Sequence, residues 1–253
     1  CCYFNKKGPA RDLEPFFNYK VTPGFSTPDW AKGAVFYQVY VDRFANGDPS
    51  NDVLNREYIY IKEPSKKIDD WYCYPEQMDV RNFYGGDLQG VLDHLDYLKE
   101  LGVDVIYLNP IFVSPSNHKY DIQDYDYIDP HYGKIVVDEG NTLPDWENNN
   151  MNASKYISRV TDKRNLEASN EFFVHFVEEV HKKGMRVILD GVFNHCGSFN
   201  KWMDAERIYE NQYGYEKGAF VDANSPYRHF FKFYNQNAWP YNDDYDGWWG
   251  HKT

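Results

Sequence analysis

Three short runs of mostly apolar residues recur along the chain without regular polar alternation. They are AVFYQVYV at 34–41, VDVIYL at 103–108 and MRVILD at 185–190. A strand with one solvated face alternates apolar and polar side chains, whereas a strand covered on both faces is apolar throughout. The pattern therefore predicts three buried strands of a parallel sheet.

Two helices are predicted between these strands. In the first, Asp87 is the N-cap and Gly102 stops the helix at its carboxyl end. In the second, Ser169 or Asn170 is the N-cap and Gly184 follows the last turn. Both segments repeat apolar residues at helical spacing, which places them on one face.

The resulting order is strand, helix, strand, helix, strand, which is typical of a parallel sheet covered by helices. The loops that follow the second and third strands are long and polar, whereas the connections from helix to strand are short. In a (β/α)8 barrel the functional loops follow the carboxyl ends of the strands. We therefore predict an α/β fold that is the N-terminal part of a (β/α)8 TIM barrel, strands 1 to 3, with an excursion subdomain after strand 3.

The domain boundaries follow from changes in local composition. Residues 1–33 are rich in Pro and Gly and are expected to be a linker or the end of a preceding module. Residues 34–197 form the first part of the barrel, with a polar insertion near 134–166 that contains a short helix around ASKYISRV. Residues 198–253 form the excursion subdomain, and the chain is expected to stop before strand 4. We expect the sequence to be a fragment, because it opens on CCYFNKK without an initiator Met.

Composition narrows the classes of partner. The net charge of −12 argues against nucleic acid and against anionic membranes, which bind to basic surfaces. No apolar run approaches the roughly 20 residues that span a bilayer. The four cysteines lack metal-ligand or disulfide-framework spacing and are expected to be free thiols. Aromatic residues make up 19% of the chain, which suits either sugar binding or an aromatic-rich core.

Polar residues follow the third predicted strand directly. Asp190 ends the strand, and Asn194 and His195 come just after it. The last residues of a barrel strand line the mouth of the pocket, so these side chains are candidates for binding a ligand's hydroxyl groups. The alternative is an Asp that closes a strand and an Asn that caps a helix.

The loop after the second strand carries a second polar group, His118, Tyr120 and Asp121. An aromatic ring beside a carboxylate suits a sugar, because the ring stacks on it and the acid accepts hydroxyl hydrogen bonds. A solvated acidic loop is the alternative explanation.

A third cluster is rich in oxygen-bearing side chains, in NGDPSND at 46–52 and GGD at 85–87. Calcium takes about six to eight oxygen ligands from carboxylates, amides and backbone carbonyls. An Asn-Gly turn and a helix-capping Asp would give the same residues without a metal. The candidate calcium ligands are Asn46, Asp48, Asn51, Asp52, Gly85 and Asp87.

Three of these segments together resemble the α-amylase family, glycoside hydrolase family 13, and in particular its neopullulanase, cyclomaltodextrinase and maltogenic amylase branch. VILDGVFNH is similar to the family's motif on the third barrel strand, and NPIFVSPSNHKYD to its second-strand loop. VYVDRFANGDPSND with FYGGDLQG resembles the calcium-binding segment of that branch. The similarity extends from about residue 28 to residue 253.

The resemblance implies a glycosidase that acts on α-1,4-glucans (starch, maltooligosaccharides, pullulan or cyclodextrins) with a retaining double-displacement mechanism. It implies that His195 bonds the sugar at the cleavage site and that Asn194 and Asp190 support that site. It also implies that Tyr120 stacks on the same ring, with Asp121 supporting it and His118 among the binding residues, and that Ca²⁺ is structural.

The sequence departs from the family pattern in its acids. The nucleophile and the acid/base belong to motifs on the fourth and fifth strands, and the nucleophile's Gly-x-Arg-x-Asp pattern does not occur in the chain. We therefore expect the fragment itself to be inactive. A non-catalytic glucan-binding or subunit-stabilising relative is one alternative, and a metal hydrolase with Asp190 and His195 as ligands is another. A homodimer of the full-length protein is possible, and a cytoplasmic location is favoured over secretion.

Overall fold

The computed structural model describes residues 2–235, so Cys1 and residues 236–253 of the predicted excursion lie outside the described residues. The chain separates into two compact units, residues 1–34 and 35–253. The strands, in chain order, are β1 (Tyr3–Asn5), β2 (Gly8–Ala10), β3 (Phe36–Val39), β4 (Ile59–Tyr60), β5 (Glu63–Pro64), β6 (Lys66–Lys67), β7 (Asn82–Phe83), β8 (Val105–Leu108), β9 (Phe112–Val113), β10 (Asp124–Ile128) and β11 (Arg186–Leu189). The α-helices are α1 (Leu88–Asp93), α2 (Leu95–Glu100), α3 (Ser154–Thr161) and α4 (Lys163–Lys182).

The first unit contains one antiparallel hairpin. Strands β1 and β2 pair from Tyr3 with Ala10 to Asn5 with Gly8. Gly8 has φ +96°, a backbone conformation that L side chains rarely adopt. The turn of the hairpin is Lys6-Lys7, and this glycine begins β2 directly after it.

A three-stranded parallel sheet lies at the centre of the second unit, in the order β11, β8, β3. Val105 of the central strand is level with Phe36 on one side and with Arg186 on the other. The predicted strands and their parallel direction are confirmed. The central strand is almost fully buried, whereas β3 and β11 are more exposed because, among residues 2–235, each pairs on one side only.

The helix predicted over 87–102 is divided into α1 and α2. Asp87 caps α1 as predicted, because its side chain accepts a hydrogen bond of 2.6 Å from the Gly90 N–H. The division is at His94, which leaves helical dihedral angles with φ −110° and ψ 15°. Its Nδ1 atom lies 2.8 Å from the Gly90 carbonyl oxygen. This local bond to the backbone competes with the regular helix.

The second predicted helix is longer than expected, and its predicted cap is wrong. Helix α4 begins at Lys163, where the Asp162 side chain accepts a hydrogen bond from the Arg164 N–H. Ser169 lies inside the helix, where its hydroxyl bonds the Asn165 carbonyl oxygen four residues earlier at 2.8 Å. The short helix predicted around ASKYISRV is confirmed as α3.

Two large apolar clusters account for most of the core. The first packs the central sheet against α1, α2 and α4 and includes Leu88, Leu98, Ile106, Phe176 and Val180. The second is aromatic and packs the insertion and the excursion together. Its rings include Tyr58, Phe83, Tyr156, Phe199 and Tyr209. The high aromatic content therefore serves the core to a large extent.

Two expectations from composition can be compared with the described residues. Cys2, Cys73 and Cys196 carry free thiols, as predicted, and Cys1 is not described. Among the helices between residues 2 and 235, none is long and apolar enough to cross a bilayer.

Candidate functional site

The carboxyl ends of β8 and β11 lie at the same edge of the sheet, and the residues after these strands meet there. Asp190 directly follows β11, and its N–H donates to the Leu108 carbonyl oxygen at the end of β8. The Tyr120 hydroxyl, from the loop after β8, donates to Asp190 Oδ2 over 2.6 Å. The two predicted strand-end groups therefore share one site.

His195 joins this pair from the loop after β11. Its Nε2 atom lies 3.1 Å from the Tyr120 carbonyl oxygen. Because a carbonyl only accepts hydrogen bonds, Nε2 carries the proton in this contact. The Nδ1 atom lies 3.2 Å from the Asn194 amide nitrogen, which is a donor. In this pairing the two ring nitrogens have different roles, since Nε2 donates and Nδ1 faces a donor.

The electrostatics of the site follow from burial beside one carboxylate. Burial, and then the hydrogen bond and charge of Asp190, raise the pKa of Tyr120 to about 12. Burial and Asp190 also raise the pKa of Tyr107 on β8. Both phenols therefore stay protonated at neutral pH, and Tyr120 remains a donor to Asp190.

His118 and Asp121 lie in the same loop, behind Tyr120. The Tyr120 N–H donates to His118 Nδ1 over 3.1 Å, and the two rings are 6.0 Å apart. Burial lowers the pKa of His118, so the ring is neutral near pH 7. Asp121 is buried, and its Oδ1 accepts hydrogen bonds from the hydroxyls of Ser114 and Ser116. Its carboxylate therefore holds the two serines of this loop together.

An aromatic cavity of about 480 Å³ borders His195 and Asn194. This cavity is not predicted from the sequence. Tyr125 and Trp202 stack in its wall with ring centres 5.3 Å apart and an angle of 9° between their planes. The Tyr125 hydroxyl lies 2.8 Å from the His195 carbonyl oxygen and 3.0 Å from the Val192 carbonyl oxygen, so its single proton is shared between two acceptors in the loop after β11. The only indication in the sequence is the high density of aromatic residues around Trp202, and this density does not show which ring stacks on Trp202.

The six candidate calcium ligands lie in one cluster. The Asn46 amide donates to Asp52 Oδ1 over 2.8 Å, and Asp87 accepts hydrogen bonds from the N–H groups of Gly47 and Asp48. A Cβ atom on Gly85 would lie 2.4 Å from Asp52 Oδ1, so the backbone approaches the cluster closely only because it is glycine. These contacts bring the two predicted segments together.

Protein groups already bind several of these oxygens. The Lys67 ammonium lies 2.6 Å from Asp52 Oδ2, and the Lys134 ammonium lies 2.9 Å from Asp48 Oδ2. Asn51 Oδ1 is buried without a hydrogen-bond partner among the described residues, as expected of an oxygen that a cation could bind. The oxygen donors fit Ca²⁺ in type. Among residues 2–235, no group of three or more His, Cys, Asp or Glu is arranged to hold a metal ion.

That finding also bears on the metal-hydrolase alternative. Asp190 Oδ2 accepts a hydrogen bond from the Tyr120 hydroxyl, and the Nε2 proton of His195 points to the Tyr120 carbonyl oxygen, so these two atoms are engaged in hydrogen bonds within the site. Within the described part of the chain, the metal hydrolase lacks a ligand set.

A sequence model described as alpha amylase, catalytic domain, matches residues 38–139 and 168–253. The chain belongs to the α-amylase family. The matched residues of this α-amylase family chain contain β8, β11 and all the predicted site residues. The recognition of the family and of its neopullulanase, cyclomaltodextrinase and maltogenic amylase branch is thus confirmed.

Three curated relatives illustrate the similarity. An amylopullulanase of Thermoanaerobacter thermohydrosulfuricus is 36% identical over 88% of the chain and 14% of the relative. Neopullulanase 2 of Thermoactinomyces vulgaris is 40% identical over 68% of the chain and 21% of the relative. A cyclomaltodextrinase of Geobacillus thermopakistaniensis is 39% identical over 77% of the chain and 25% of the relative. The chain thus spans a quarter or less of the length of each.

Solved structures agree with this family. The type III pullulan hydrolase of Thermococcus kodakarensis superposes with a TM-score of 0.61 and 29% identity, over 90% of this chain and 33% of that one. The cyclic α-maltosyl-(1→6)-maltose hydrolase of Arthrobacter globiformis gives a TM-score of 0.54 and 31% identity, over 82% and 33% of the two chains. The family match and these neighbours support a (β/α)8-type fold.

Proposed function

We propose that this chain forms strands 1 to 3 of a (β/α)8 barrel and supplies the sugar-binding part of an α-glucan active site. The hydrogen-bonded group of Tyr120, Asp190 and His195, at the carboxyl edge of the parallel sheet, carries the proposal. In such barrels this edge is where substrates bind. The substrates would be α-1,4-glucans such as starch, maltooligosaccharides, pullulan or cyclodextrins.

The chemistry that these residues would perform is binding and orientation. The His195 imidazole would bond a sugar hydroxyl at the cleavage site, and the Tyr120 ring would stack on the same sugar. The Asp190 carboxylate would hold the Tyr120 hydroxyl, and Asn194 would fix the His195 ring. Each group therefore serves the geometry of one sugar ring.

Bond cleavage would need two further carboxyl groups. A retaining glycosidase places its nucleophile and its acid/base about 5 to 5.5 Å apart. We propose that both belong to sequence outside this chain, since the nucleophile pattern does not occur in its 253 residues. The chain on its own would then bind α-glucan at most and would not cleave it.

The proposal is tested by assaying the intact protein that contains this chain on pullulan, a cyclodextrin and soluble starch. We expect cleavage that initially releases the α-anomer. Proton NMR of the new reducing end measures which anomer appears first. Initial β-anomer would contradict retention. Glucan binding without any cleavage would instead favour the non-catalytic relative.

We further propose that the oxygen cluster around Asp52 binds a structural Ca²⁺. The ligands would be Asn46, Asp48, Asn51, Asp52, Gly85 and Asp87. A bound cation would tie the loop after β3 to the start of α1. The buried and unpartnered Asn51 Oδ1, within the described residues, supports this assignment.

Calcium removal should lower the melting temperature of the intact protein. A ligand that binds only the folded state stabilises it by about 2.7 kcal/mol at 100 times its Kd. We expect EDTA to lower the Tm, added Ca²⁺ to restore it, and Asp52→Asn to abolish the response.

Asp96→Asn, a change at an exposed carboxylate on α2, is the matched control and should keep the full response to EDTA. An identical Tm with and without EDTA would refute the calcium site.

A further inference from the structure

We propose that His131 is a positioning residue for the sugar-binding loop, held as an imidazolium and acting on that loop through Asp129 and Lys119. The loop is defined as residues 116–121, which contain His118 and Tyr120. The inference rests on the proposed function for its effect on catalysis. It rests on geometry alone for the charge of the ring.

The charge of the ring follows from its two partners. Nδ1 of His131 lies 2.8 Å from Asp129 Oδ1, and Nε2 lies 2.8 Å from Glu57 Oε1. Carboxylate oxygens only accept hydrogen bonds, and a neutral imidazole has a single N–H group. Both contacts are therefore satisfied only when both nitrogens carry protons. Burial alone would lower the pKa of His131, but the carboxylates of Glu57 and Asp129 outweigh it and raise the pKa.

Asp129 transmits this arrangement toward the loop. Its second oxygen, Oδ2, accepts hydrogen bonds from the Lys119 ammonium at 2.7 Å and from the Ser114 N–H at 3.0 Å. The Lys119 ammonium also donates to the Ser114 carbonyl oxygen and lies 4.6 Å from the centre of the Tyr132 ring. Lys119 is only 1% exposed, so its charge has no access to bulk water.

Lys119 lies between the two sugar-binding side chains His118 and Tyr120. Its φ is +56°, a left-handed conformation that costs energy for a residue with a side chain. Its N–H donates to the Ser116 hydroxyl, which in turn contacts His118 Nδ1 and Asp121. The buried ion pair with Asp129 compensates for the backbone strain and so sets the direction of the residues on either side.

The charges that face His131 alternate in sign. Beyond Glu57, the Arg159 guanidinium lies 2.8 Å from Glu57 Oε2 and 2.7 Å from the Asp138 carboxylate. The Tyr156 ring stacks on the imidazole at 6.1 Å, and the Tyr58 side chain packs on Tyr156. With a neutral ring, either Glu57 or Asp129 would lose its hydrogen bond from His131 in a buried space, although Arg159 and Lys119 would remain as their charged partners.

His131→Gln in the intact protein tests the proposal, because glutamine keeps a donor and removes the charge. We expect kcat/KM on a maltooligosaccharide to fall about 10- to 100-fold, mainly through a higher KM, because the loop is displaced while the reacting acids are not. In the unchanged protein, the raised pKa of His131 means that the ring loses its proton only at a pH above 6.5, its ordinary pKa. KM should therefore rise as the pH is increased through that range. That alkaline rise should be absent in the variant.

Val180→Ala is the control for a purely structural effect. Val180 is fully buried in the core on α4, and the substitution should lower Tm without changing KM or its pH profile. If His131→Gln behaves in the same way as Val180→Ala, His131 is structural only and the proposal fails.

The charge of the ring can be measured without any glucan. In intact protein labelled with ¹⁵N-histidine, both His131 nitrogens should carry protons at pH 7, with the signals assigned by their loss in His131→Gln. A neutral ring at pH 7 would overturn the proposal. If the protein binds and cleaves no α-glucan, the proposed function fails, and the NMR result still decides the state of the ring.

Discussion

His195→Ala in the intact protein should lower kcat/KM on maltooligosaccharides by about 100-fold, the usual cost of losing one preorganised hydrogen-bonding group at the reacting centre. The Tm should stay nearly unchanged, because the side chain is half-exposed and lies at the edge of a cavity. Truncation removes the contact to the Tyr120 carbonyl oxygen but leaves the Tyr120 to Asp190 hydrogen bond intact. Steady-state kinetics with calorimetry on the same preparation measure both quantities.

The matched control is His175→Ala, at an exposed histidine on the outer face of α4. It should change neither kcat/KM nor Tm. If His195→Ala instead unfolds the protein at a much lower temperature while turnover stays normal, His195 does not belong to the site.

Gly197→Ala should impair both stability and activity. A Cβ atom at this position would lie 2.1 Å from the Asp121 carbonyl oxygen, far inside van der Waals contact. The Gly197 N–H also donates to the Ile122 carbonyl oxygen at 2.9 Å, so the two loops cannot separate without losing that bond. We expect a loss of about 1–3 kcal/mol from overpacking and a fall in kcat/KM of about 100-fold as the Asp121 loop moves.

Ser198→Ala, one residue further along, introduces no new atom and should leave the kinetics unchanged. Normal kcat/KM in a stable Gly197→Ala protein would mean that the two loops do not set the site geometry together.

Local patterns predicted the elements of the fold well because each depends on neighbouring residues. Continuous apolar runs identified β3, β8 and β11, and Asp87 was recognised as a helix cap. The start of α4 was misplaced by several residues, since Ser169 and Asn170 also have capping side chains, whereas the helix is capped by Asp162. The division at His94 coincides with a side-chain contact to the backbone, which helical spacing does not encode.

The residues of the site that follow the strands could be predicted from the sequence, whereas the buried residues beneath them could not. Tyr120, Asp190 and His195 follow apolar strands, so their position at one edge could be inferred from topology. The pairing of Glu57 with His131 joins residues 74 positions apart, and Arg159 reaches Glu57 across 102 positions. Such buried pairs have no periodic pattern, and each residue on its own resembles ordinary surface charge.

The sheet order β11, β8, β3 follows the order of these strands along the chain, so each strand pairs with the one synthesised before it. Each crossover therefore joins neighbouring strands, and the entropic cost of closing it grows only slowly with the length of the connecting segment. During synthesis on the ribosome, β8 could dock on β3 as soon as it emerges, and β11 could then dock on β8. The group of Tyr120, Asp190 and His195 would then come together once β11 has docked on β8.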